Sequence, residues 1–112
     1  MADEIRYNHG LTMIETKLNI KDKDRFCRNL YATLKYCDED DCKYGWPKYS
    51  FELCFTDDDD FDIDYSFSDI TENNFQGYLD SVCHWIDLTE NVVFKDFDSV
   101  VNSLPAGMIR IF

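Results

Sequence analysis

The sequence predicts an α+β domain, a small antiparallel sheet with a central acidic β-hairpin at about 48–68 packed against two to three helices. Three observations carry this reading. Residues 48–56 alternate, with Tyr49, Phe51, Leu53 and Phe55 on one face and Ser50, Glu52, Cys54 and Thr56 on the other. Residues 61–68 alternate again, with Phe61, Ile63, Tyr65 and Phe67 against Asp62, Asp64, Ser66 and Ser68. Elsewhere the apolar period changes to that of a helix.

Taken in order, Leu11–Ile20 is β-branched and apolar without a helical stripe, and is expected to be extended. A helix is predicted at about 24–36, with Asp24 as N-cap and Phe26, Leu30, Leu34 and Cys37 at i, i+4, i+8 and i+11. The polar stretch 37–47, punctuated by Gly45 and Pro47, reads as a loop. The run Asp57, Asp58, Asp59, Asp60 then joins the two alternating segments into an antiparallel hairpin. A second helix is predicted at about 72–87, capped by Thr71, with Glu72 at its positive end and Phe75, Leu79, Val82 and Ile86 on one stripe. A short helix at about 96–104 is stopped by Pro105 and Gly107, and the tail MIRIF suits an edge strand.

At 112 residues the chain is one domain, residues 1–112. With 45% hydrophobic and 16% aromatic residues it has the material for a packed core despite a formal charge of −12, which sets it apart from acidic disordered chains. The charge is uneven. Residues 1–36 carry seven basic and five acidic side chains, net +2, and residues 37–112 carry four and eighteen, net −14. Such a field repels nucleic acid and anionic membranes and attracts basic protein surfaces. The N-terminal MADEIRYNHG has neither the basic nor the apolar region of a signal peptide, and no apolar run suits a membrane span. A cytoplasmic protein is expected, its five cysteines mostly reduced thiols.

Few constellations point to catalysis or cofactors. His84 adjoins Cys83 on a helix, but neighbouring residues there point about 100° apart and do not form a nucleophile–base pair. Cys37 and Cys42 are spaced too widely for the commonest zinc pattern. Counting from Asp58, the positions Asp58, Asp60, Asp62, Asp64, Ser66 and Asp69 match the ligand spacing of a calcium loop. Ile63 stands where that loop needs glycine, however, and strand alternation explains the spacing without an ion. Paired carboxylates doing acid–base work need a cleft and one raised pKa, and an outward-facing strand is expected to give neither. No metal and no cofactor is expected.

The remaining reading is charge mimicry. Same-face side chains on a strand repeat at roughly 6.7 Å, so Glu52, Asp62 and Asp64, with the Asp57–Asp60 turn beyond, form a ridge of negative charge. Asp69, Asp80 and Asp87 extend the candidate partner-binding set. Trp46 and Trp85 are candidate anchors if exposed. In size, charge and element order the chain resembles small acidic phage-encoded inhibitors that imitate nucleic acid, including anti-CRISPR and anti-restriction proteins. The resemblance implies a non-enzymatic inhibitor that occupies a basic nucleic-acid-binding site on a host defence protein, without itself binding nucleic acid. Acidic immunity proteins that plug nuclease toxins resemble it equally, and a general acidic interaction module is a third alternative.

Overall fold

The computed structural model of the protein describes residues 2–8, 10–21, 29–40, 45–58 and 62–112. Its elements, in chain order, are β1 (Ala2–Asn8), β2 (Leu11–Ile20), β3 (Leu30–Cys37), β4 (Ser50–Asp57), β5 (Asp62–Ser66), α1 (Phe75–Thr89), β6 (Val93–Phe94), α2 (Phe97–Asn102) and β7 (Ile109–Arg110). The sheet runs β1-β2-β3-β4-β5-β7, every neighbouring pair antiparallel, and β6 lies parallel to the far end of β2. The fold class is therefore α+β as expected, but the sheet is mixed and larger than the hairpin-centred one predicted.

Residues 30–36 of the predicted first helix are strand β3, while its expected start at Asp24 and Phe26 lies outside the described residues. The reason is that a spacing of four suits both periods. Leu30 and Leu34 lie one helical turn apart, yet they are also two strand repeats apart, with Ala32 between them. All three are buried, and Tyr31, Thr33 and Lys35 face the other way. Pairing settles the ambiguity. Leu11 to Leu18 align with Cys37 to Leu30 on one side, and Ser50 to Asp57 with Cys37 to Leu30 on the other.

The hairpin of β4 and β5 forms with the expected facing, since Leu53 pairs with Tyr65 and Phe55 with Ile63 on the buried side. Strand β4 begins at a strained point. Tyr49 adopts φ 68°, a left-handed conformation unusual for a non-glycine residue. Its amide donates to the Cys37 carbonyl at 2.8 Å and its ring packs 5.2 Å from that of Phe75, which together hold it there.

Both helices pack on one face of the sheet. Helix α1 starts three residues later than predicted, because Thr71–Asn74 forms a turn in which the Thr71 carbonyl accepts from the amides of Asn74 and Phe75. Thr71 thus contributes its backbone rather than a side-chain cap. Helix α2 falls within the short helix expected at about 96–104, and its N-cap is Asp96, whose carboxylate accepts from the Ser99 amide at 2.8 Å. The core centres on Phe55, whose ring meets Tyr65, Trp85 and Phe97 edge-on at centroid distances of 5.7, 6.2 and 5.5 Å. After the Gly107 turn (φ 95°), the tail pairs with β5 through Tyr65↔Arg110 and Ser66↔Ile109, the edge strand expected of it. Among the described residues, no helix is long and apolar enough to cross a membrane.

Candidate functional site

Strand alternation assigns the faces. Phe51, Leu53 and Phe55 point toward the helices, so Glu52, Cys54 and Thr56 point away from them. On β5 the same rule turns Asp62 and Asp64 to the helix-free side, opposite Thr56 and Cys54. The register carries this surface inward across the sheet. Asp64, Cys54, Thr33 and Glu15 form one cross-strand row, and Glu52, Lys35 and Met13 lie in the next. The Thr33 hydroxyl donates to the Glu15 carboxylate at 3.5 Å. A helical reading of β3 hides Thr33 and Lys35, although their alternation with Leu30, Ala32 and Leu34 carries the strand signal. Glu15, on β2, joins the row only through its register with Thr33.

This face is less open than an outward strand suggests. Cys54 is only 5% exposed, and Glu52 and Asp64 are half-buried, whereas Asp62 is exposed. The tail supplies part of the cover. Asp64 accepts from the Ile111 amide at 2.8 Å through its carbonyl, and its own amide donates to the Phe112 carbonyl at 3.4 Å, so β5 is flanked on both sides. The Asp64 Oδ1 is buried without a hydrogen-bond partner among the described residues.

The electrostatics follow. Burial first, then the hydrogen bond and charge of Asp64, push the Glu52 carboxyl from 4.5 up to about 7. The expectation that an outward-facing strand raises no pKa is therefore corrected. The Cys54 thiol, which donates to Asp62 Oδ1 at 2.8 Å, is pushed up by burial and by Asp62 and Asp64. Cys83 is also pushed up, by burial and then by Asp80 and Asp87. Both thiols are held protonated, which works against nucleophilic attack.

Two metal readings can be placed. Asp62, Asp64 and Ser66 lie along a single strand and not in a loop, so the calcium-like spacing is the strand period. Asp69 stands apart, in the turn beyond β5, accepting from the Tyr78 hydroxyl at 2.8 Å. Cys42 lies outside the described residues, and Cys37 is buried and donates to the Glu39 carbonyl. A different donor set does come together. The Cys54 Sγ and one oxygen each of Asp62 and Asp64 lie within 4.8 Å of one another, a group that could hold a cation of zinc type if the thiol gave up its proton.

The candidate acidic residues form three groups. At the end of the hairpin are Asp57, Asp62 and Asp58, the last accepting from Asn29 Nδ2 at 2.8 Å, while Asp59 and Asp60 lie outside the described residues. On the helix-free face are Glu52 and Asp64. On the outer surface of α1 are the exposed Asp80, which accepts from Gln76 Nε2 at 2.8 Å, and Asp87. Because α1 packs on the opposite face of the sheet, Asp80 and Asp87 do not extend the hairpin ridge. Trp85 is buried in the core, its Nε1 donating to Ser103 Oγ at 2.9 Å, and cannot be an exposed anchor; Trp46 is half-buried.

No family model, curated protein or solved structure matches the chain.

Proposed function

We propose that the protein is a non-enzymatic acidic binding protein that occupies a basic, nucleic-acid-binding site on another protein, with the end of the β4–β5 hairpin as the contact. The observation carrying this reading is the exposed pair Asp58 and Asp62, beside Asp57 and the adjoining Asp59 and Asp60. Among the described residues, no ion pair neutralises Asp58 or Asp62, and the Lys48–Asp40 ion pair at 3.5 Å lies elsewhere. Strand pairing holds the backbone of Asp57 and Asp62 in register at the ends of β4 and β5, so little backbone freedom is lost there on binding. Duplex nucleic acid presents one negative charge per about 1.7 Å of axis, and a site built for that density favours a rigid acidic ridge.

The partner class is a nuclease or defence complex, and a mobile-element inhibitor is the biological role that fits. Displacement of labelled nucleic acid from purified defence effectors and from nuclease toxins, followed by fluorescence anisotropy, tests the reading. Displacement is expected to weaken steeply with salt, because the attraction steers the encounter. Displacement from toxins alone assigns the immunity role, and displacement from neither refutes the proposal.

A further inference from the structure

We infer that the groove along the C-terminal half of α1 binds a basic amphipathic helix of a partner protein. Two adjoining cavities, of about 370 and 140 Å³, share Trp85, Leu88 and Ser103. Their helix wall is Ser81, His84, Trp85 and Leu88, spaced i, i+3, i+4 and i+7, and the groove continues past Thr89 to Val92 and Phe94. Two large apolar side chains of its lining stand open, Leu88 53% and Val92 40% exposed. They lie off the face of α1 that packs on the core, which is Phe75, Leu79, Val82, Trp85 and Ile86.

Charge decides the occupant. Asp80 and Asp87 lie four residues before and three after His84, forming an acidic ridge along one side of the groove. Between residues 76 and 109 there are five acidic side chains and one basic, Lys95. The last turn of α1 holds no basic residue either. An apolar trough beside an acidic ridge complements a segment with apolar anchors on one stripe and Lys or Arg on its flank. From Ser81 to Thr89 the helix wall alone runs roughly 12 Å, a little over two helical turns. The inference rests on the reading of the protein as a binder of basic proteins and adds a second contact, on the face of the sheet opposite Asp62 and Asp64.

The probe is a fluorescein-labelled peptide of about four helical turns, with leucines at i, i+3, i+4 and i+7 and flanking lysines. A peptide of the same composition in scrambled order is the control. Anisotropy titration is expected to show binding of the patterned peptide and at least ~10-fold weaker binding of the control. Leu88→Glu should cost at least ~10-fold, and Asp80→Asn with Asp87→Asn should weaken binding several-fold and flatten its salt dependence. Leu88 is exposed, so its variant should keep the parent melting temperature; if it does not, Val92→Glu replaces it. Equal binding of the scrambled peptide, or unchanged binding by the Leu88 variant, overturns the inference. So does a dimer in sedimentation that Leu88→Glu dissociates, since a second copy would then cover the groove. Hairpin substitutions at Asp58 and Asp62 should leave peptide binding intact. The peptide therefore decides the groove, and nucleic-acid displacement separately decides the hairpin.

Discussion

Glu52 shows how one side chain turns strand geometry into a measurable property. It sits in register with Lys35, but burial and the neighbouring Asp64 outweigh that cation and hold its carboxyl at about 7. The raised value has a definite sign. Between 4.5 and about 7 the folded state keeps a proton that the unfolded state has lost, so this contribution is full below 4.5 and disappears as pH rises through 7. Screening of a half-exposed group reduces its size to ~1 kcal/mol. Glu52→Gln should therefore remove a decline in stability between pH 5 and 8, measured by urea unfolding at each pH. An unchanged slope in the variant would place the titration elsewhere. Tyr49 is the other singular residue, a left-handed aromatic whose strain is offset by its ring contact with Phe75.

Among the elements, β3 separates what the sequence makes legible from what it does not. Strands β2, β4, β5 and β7 and both helices are readable because their apolar residues keep one period and their ends carry turn or cap residues. In β3, Leu30 and Leu34 satisfy both periods, and only the hydrogen-bonding edges of β2 and β4 select the strand. Strands β1 and β6 were not anticipated. The first precedes a turn containing Gly10 at φ 89° and takes its register from β2, and the second is two residues placed by tertiary contact. The strand assignment makes parity testable. Leu34→Ala, at a fully buried position, should cost about 2–5 kcal/mol, and outward-facing Tyr31→Ala should cost clearly less, both read from chemical denaturation. Similar losses at both positions would contradict the facing. The larger core position Phe55→Ala, which removes three edge-on ring contacts, should cost about 3–5 kcal/mol in the same assay.

At the scale of the molecule, the acidity is divided by the sheet. Sequence reasoning grouped Glu52, Asp62, Asp64, Asp80 and Asp87 as one surface, because charge along a chain does not say on which side of a layer a helix lies. The fold leaves the hairpin end and the ridge of α1 as two separate acidic surfaces. It also gives the calcium-like spacing a simple cause in strand period. Millimolar calcium should accordingly raise the melting temperature no more than magnesium at equal ionic strength, and a calcium-specific rise would restore the ion reading. The central claim concerns the hairpin, and one measurement tests it most directly. Asp57, Asp58, Asp59, Asp60 and Asp62 are replaced together by Asn, leaving the half-buried Asp64 in place. The variant is then compared with the parent for displacement of labelled nucleic acid from a defence effector or nuclease toxin that the parent blocks. Loss of displacement with an unchanged fold by circular dichroism is the expected result, and displacement at parental concentration would contradict the account.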